Sequence, residues 1–134
     1  MKFCCSILFV LILSCAFAQE PAVFEEPIKG PKIVFSEDKY EFGDIIQGDV
    51  IEHIFEFKNS GNSPLILQDV KTTCGCTVPE WPRAPLPPGA TAELKVKFNS
   101  TGKIGIQNKV ITVISNATNQ TTRVMIVTNV NPKS

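Results

Sequence analysis

The 134-residue chain has a single histidine, His53. Histidine is the usual general base and the commonest metal ligand, so its scarcity narrows the chemistry at once. Ile51 and Phe55, two residues to either side, place His53 on an apolar strand face. A hydrogen-bonded core or rim histidine is the plain reading there. Hydrolase chemistry of the serine or cysteine triad kind has little support. A closed zinc site needs four ligands, and beyond one cysteine pair the chain offers only His53 and scattered carboxylates.

Net charge is also missing. Thirteen Lys and Arg balance thirteen Asp and Glu. Phosphate-backbone binding needs a clustered basic surface, so nucleic acid is excluded as a partner, and adsorption to an anionic membrane is disfavoured. No apolar run reaches the ~20 residues of a spanning helix, and no segment of ten or more residues holds a 3.6 period. We see no internal repeat and no phosphate-cradling glycine loop. Gly43, Gly48, Gly61, Gly89 and Gly102 sit at strand ends and read as turn glycines that need permissive backbone angles.

The first 18 residues read as a signal peptide. Lys2 supplies the positive end, Ile7 to Leu13 the apolar stretch, and Ala16-Phe17-Ala18 a small-x-small cleavage site. The mature chain is then expected to start at Gln19 and to be exported, periplasmic or secreted. An alternative is a lipoprotein anchored at Cys15, since Ile12-Leu13-Ser14-Cys15 approximates a lipobox. Residues 19–31 carry three prolines and three glutamates, the composition of an extended linker.

Residues 32–131 form the one expected domain. Short apolar or alternating runs recur from Ile33 to Val130, separated by turn clusters such as Asn59 to Pro64. In Val50 to Phe57, Ile51, His53, Phe55 and Phe57 share one face, opposite Val50, Glu52, Ile54 and Glu56. In Ala92 to Phe98, Leu94, Val96 and Phe98 point inward while Glu93, Lys95 and Lys97 point outward. Pro79 to Gly89 holds five prolines and is no central strand. The pattern predicts an all-β fold, an immunoglobulin-like antiparallel β-sandwich of about seven strands, without the antibody cysteine spacing. The candidate core is Phe42, Phe55, Phe57, Leu65, Leu94, Val96, Phe98, Val110 and Val127.

Once the leader is set aside, two of the five cysteines remain, in Thr72-Thr73-Cys74-Gly75-Cys76-Thr77. Residues two apart in an extended chain point to one face, and Gly75 permits the bend that a bridge between them needs. Such a bridge closes almost no loop and is a weak staple. The pair is therefore open to three readings: a local disulfide or plain thiols, a redox-active pair, or a clamp for a soft ion such as copper(I). Trp81, between Glu80 and Pro82, is either a surface anchor for a partner or a cap on one end of the core.

Several strings in order resemble a bacterial family of domains of unknown function, DUF1573. They are Tyr40-Glu41-Phe42-Gly43-Asp44-Ile45, Gly48-Asp49-Val50, Phe55 through Leu65, Cys74-Gly75-Cys76-Thr77, Pro79-Glu80-Trp81-Pro82, Pro87-Pro88-Gly89 and Lys97 through Lys103. The family looks like a relative of the immunoglobulin-like domains of ciliary and sperm scaffolding proteins. The resemblance implies a non-enzymatic interaction module. Together, these readings give an extracytoplasmic binding or structural module, with a protein or glycan partner in the cell envelope and no cofactor. The alternative is a thiol-redox or copper-handling protein acting through Cys74 and Cys76.

Overall fold

The computed structural model describes residues 29–134. The leader, its cleavage site, Cys15 and most of the linker lie outside the described residues. Eight strands are present: β1 (Ile33–Phe35), β2 (Lys39–Ile46), β3 (Val50–Asn59), β4 (Leu67–Thr72), β5 (Thr77–Glu80), β6 (Thr91–Asn99), β7 (Gly105–Ser115) and β8 (Thr121–Asn131). They form two four-stranded sheets, ordered β1-β3-β6-β5 and β2-β8-β7-β4. Among the described residues there is no helix, hence none long and apolar enough to cross a membrane.

Alternation sets the register of the first sheet. Phe55 pairs with Leu94, His53 with Val96 and Ile51 with Phe98, so the apolar faces of β3 and β6 coincide. Phe55, Phe57, Leu94, Val96 and Phe98 are buried, as expected, and so is Leu65. Phe42 packs against this cluster while partly exposed. The opposite sheet supplies Leu67, Val70, Ile111, Val113, Val124 and Ile126. Burying one such side chain contributes roughly 1.5–3 kcal/mol.

Two core expectations are corrected. Val110 and Val127 face outward and are only half-buried, while Ile111, Val124, Ile126 and Val130 point in. Runs such as Val110-Ile111-Thr112-Val113-Ile114 are apolar on both faces, so a two-residue period carries no phase. The inward face of β7 also takes Lys109, whose Nζ lies over the Phe98 ring at 5.5 Å. Burial pushes its pKa down, and repulsion from Lys103 adds to this.

Two further departures concern the strands. The eighth strand is β5, which contains Pro79 and lies where the proline pattern argues against a central strand. It lies at a sheet edge, where a residue without an N–H is tolerated. The sandwich is also not purely antiparallel, since β2 pairs with β8 in parallel, with a bulge at Phe42.

One pole is organised by Asn59, which is fully buried. Its Nδ2 donates to the carbonyls of Ser63 (2.8 Å) and Leu86 (2.9 Å), and its Oδ1 accepts from the N–H of Gly61 (3.0 Å) and Lys32 (3.3 Å). Gly61 is the exception among the turn glycines. Gly43, Gly48, Gly89 and Gly102 have positive φ, but Gly61 does not. A Cβ on Gly61 would lie 2.1 Å from the Gly30 oxygen, so close backbone approach is what requires glycine there. The hydrogen-bonded structure extends to Gly30 and Pro31, which bond to Asn62 and Thr118.

Candidate functional site

β4 belongs to one sheet and β5 to the other, so the segment between them carries the chain across the sandwich. That segment holds both cysteines. Four hydrogen bonds that do not involve sulfur set its path. The Thr72 hydroxyl meets the carbonyls of Cys74 (3.1 Å) and Thr77 (3.2 Å). The Thr77 N–H donates to the Cys74 carbonyl (3.2 Å), and the Asn99 N–H on β6 donates to the Cys76 carbonyl (2.9 Å).

The Cys74 and Cys76 sulfurs are in close contact, with Cα atoms 5.3 Å apart, inside the range that disulfides occupy. Both residues are half-buried. The Cys76 N–H also donates to the Cys74 sulfur at 3.1 Å. Restraining so short a loop in the unfolded chain is worth at most about 1.5 kcal/mol. Gly75 is exposed, lacks positive φ, and a Cβ there would meet nothing within 4 Å. The bend between the cysteines therefore does not use glycine's freedom, contrary to the sequence argument. Among the described residues no three His, Cys, Asp or Glu side chains converge as a metal site.

The register fixes what lies beside the bridge. Val50 faces Asn99 across β3–β6, and the Cys76 carbonyl is bonded to Asn99 from the other side. Lys97 lies between Glu52 on β3 and Val78 on β5. These outward side chains floor a groove of about 520 Å³ lined by Val50, Gly75, Cys76, Val78, Lys97, Asn99 and Thr101. Val50 and Val78 are each 53% exposed. Lys97 Nζ sits 3.1 Å and Lys95 Nζ 3.7 Å from the Glu52 carboxylate. The hydrogen bond from Lys97, with the charge of Lys95 adding to it, holds the Glu52 pKa below the usual range, against a smaller opposing effect of desolvation.

The other singled-out residues lie elsewhere. Trp81 packs against the core, with the Arg83 guanidinium over its ring at 3.8 Å. Its Nε1 is buried with no partner in the structure. It lines a separate, shallower groove with Glu80, Pro82, Ala92, Glu93 and Lys95. His53 hydrogen-bonds Glu37 and stacks on Tyr40 at 3.7 Å between ring centroids, with Phe42 and Phe55 edge-on. It closes the gap between β2 and β3 as a rim histidine. Val50, Val78 and Asn99 were not read as site residues. A signal for the first was present: Val50 and Ile54 are apolar on a strand face otherwise carrying Glu52, Glu56 and Lys58.

The fold and this edge define the class, an immunoglobulin-like β-sandwich whose crossover loop brings two cysteines together. The chain belongs to the family described as "Protein of unknown function (DUF1573)", whose profile matches residues 33–130. No curated protein matches it. Among solved structures it is similar to a protein of unknown function from Porphyromonas gingivalis W83, with 18% identity and a TM-score of 0.66 over 76% of this chain and 48% of that one. It is similar to the ASH/PapD-like domain 7 of human CEP192 (11% identity, TM-score 0.64, 78% of this chain and 89% of that one). The secreted serine protease VesC from Vibrio cholerae also contains such a fold (14% identity, TM-score 0.58, 74% of this chain and 23% of that one). The chain thus spans less than half the length of the Porphyromonas protein and about a quarter of VesC. At these identities the likeness is one of fold.

Proposed function

We propose that this domain is a non-enzymatic binding module, exported to the cell envelope, that holds an extended polypeptide segment in the groove beside Cys76. The observation that carries this reading is the pair of half-exposed valines, Val50 and Val78, that line one groove together with Lys97 and Asn99. Side chains of an extended segment alternate between faces, so an apolar one fits between the valines while Asn99, Thr101 and Lys97 meet its backbone or polar groups. Two facts argue for a polypeptide over a glycan. Sugars stack on open aromatic faces, and Arg83 covers one face of Trp81. The groove itself is lined by no aromatic residue. The sole histidine, engaged by Glu37 and Tyr40, supports a role without acid–base catalysis.

The export reading rests on the Lys2, Ile7–Leu13 and Ala16-Phe17-Ala18 pattern and on the bridged cysteines, which suit an oxidising compartment. Mass spectrometry of the exported protein is expected to find Gln19 as the first residue. A diacylglycerol adduct on Cys15 would replace the free module with a membrane-anchored one.

The groove is tested by a photo-crosslinking residue placed at Val78 and, as a control, at Lys58 on the far end of the same sheet face. In intact cells the Val78 position is expected to give adducts of discrete mass and the Lys58 position none. Equal labelling from both, or none from Val78, refutes the assignment.

A further inference from the structure

We propose that the Cys74–Cys76 bridge is a thiol–disulfide exchange site that oxidises a cysteine pair on the polypeptide segment held in the adjoining groove. This rests on the groove reading above and adds a chemical step to it.

Three observations lead here. The bridge is dispensable as a staple, because it spans one intervening residue and the turn around it is built by Thr72, Thr77 and Asn99 through oxygen and nitrogen. Breaking the bond therefore leaves both sulfurs near their starting places, and the step is reversible without unfolding. Second, the two sulfurs are not equivalent. Cys76 lines the groove, whereas the Cys74 sulfur accepts the Cys76 N–H at 3.1 Å. An N–H aimed at sulfur stabilises the thiolate far more than it does a neutral disulfide, so Cys74 is the better leaving group. Third, Lys97 lies on the same face as Cys76, two residues along β6 from Asn99, which bonds the Cys76 carbonyl, and it lines the groove with Cys76. Lys95 and Lys97 share the single Glu52 carboxylate, and the cation left over favours an approaching thiolate.

The step follows. A partner thiolate attacks Cys76 Sγ. A new sulfur–sulfur bond forms, the Cys74–Cys76 bond breaks, and its electron pair leaves on Cys74 as thiolate under the Cys76 N–H. The partner's second cysteine, deprotonated to solvent, then attacks the partner's first sulfur and expels Cys76 as thiolate. The partner gains a disulfide, the two domain cysteines end as thiols, and two electrons and two protons have passed from the partner. The reaction is stoichiometric and needs no further oxidant.

The test uses the mature protein and two probes, dithiothreitol and a synthetic ten-residue peptide with an apolar centre and two cysteines. The peptide is expected to be oxidised at least about tenfold faster than an equal concentration of dithiothreitol, with the unfolding midpoint of the reduced domain within about 10 °C of the oxidised one. Val78→Asn, which adds no charge beside the bridge, is expected to remove the peptide's advantage and bring its rate down to that of dithiothreitol. Cys74→Ser, which keeps the Cys76 thiol, is expected to form a mixed disulfide with an activated peptide about tenfold faster than Cys76→Ser at a pH where both thiols are ionised and only access to the groove separates them. The double serine variant is expected to fold normally and oxidise nothing. A bridge that resists both probes until the protein unfolds overturns the exchange site while leaving the cross-links at Val78 standing. A peptide no faster than dithiothreitol overturns the proposal through the groove, since it shows an accessible bridge that recognises no chain. Equal trapping by the two single variants overturns the assignment of attacked and leaving sulfur.

Discussion

Replacing Asn59 with alanine should be among the most damaging single substitutions at this pole of the sandwich, although no apolar core is lost. The amide uses all its hydrogen-bonding capacity, with two donors and two acceptor sites engaged. Removing it leaves the N–H groups of Lys32 and Gly61 and the carbonyl of Ser63 without those partners. The Leu86 carbonyl keeps a bond from the Leu65 N–H at 2.9 Å and is spared. Three polar groups stranded at about 1–1.5 kcal/mol each give a loss of roughly 3–5 kcal/mol. For a domain of this size that lowers Tm by about 15–30 °C. Asn59→Asp sharpens the test. It keeps an oxygen for the two N–H groups but turns an oxygen toward the Ser63 and Leu86 carbonyls, and it buries a charge, so its cost should equal or exceed that of alanine. Urea unfolding of the three proteins, read by tryptophan fluorescence and circular dichroism, decides it. An alanine variant within about 1 kcal/mol of the parent, or an aspartate variant clearly more stable than the alanine one, would refute the reasoning.

Four other expectations follow from the same structure. Phe55→Ala removes a fully buried ring opposite Leu94 and should cost about 3–5 kcal/mol in urea unfolding. Gly61→Ala should be strongly destabilising, because its Cβ would collide with the Gly30 and Pro31 backbone. Gly75→Ala, with open space and no positive φ, should stay within about 0.5 kcal/mol of the parent. Lys109 holds its proton less tightly when folded than when unfolded. The unfolded chain therefore binds more protons as pH rises toward the ordinary lysine range, and stability should rise with it. Lys109→Met should leave neutral-pH stability unchanged or raised and should remove its contribution to that rise in pH-dependent denaturation curves.

What the sequence reveals depends on whether a strand has one polar face. β3 and β6 alternate cleanly, and the inward positions of Phe55, Phe57, Leu94, Val96 and Phe98 follow from the residues alone. β7 and β8 carry apolar side chains on both faces, and there the same rule placed Val110 and Val127 inside when their neighbours are. The proline at position 79 hid β5, because a proline argues against a strand unless the strand is known to lie at an edge. Asn59 opens an Asn-Ser-Gly-Asn run that reads only as a turn. Its importance lies in contacts to Lys32 and Leu86, each 27 residues away. The parallel pairing of β2 with β8 joins residues about 85 apart, and no local pattern encodes it.

The cysteine pair shows the same division between local and non-local information. Its spacing was legible, and so was the weakness of a bridge over one residue. Its surroundings were not, because the groove exists only once β3, β6 and β5 lie side by side and bring Val50, Asn99 and Cys76 into one row. The crossover loop is a physically suitable place for a reactive bond. The two sheets it connects are held by their own ladders and by a core that contains neither sulfur, so chemistry at the loop perturbs little else. A bond that served stability would sit better across the long loops of this fold, where closing more chain contributes more. A bond placed where it stabilises least, beside an exposed groove, is better explained by access than by strength.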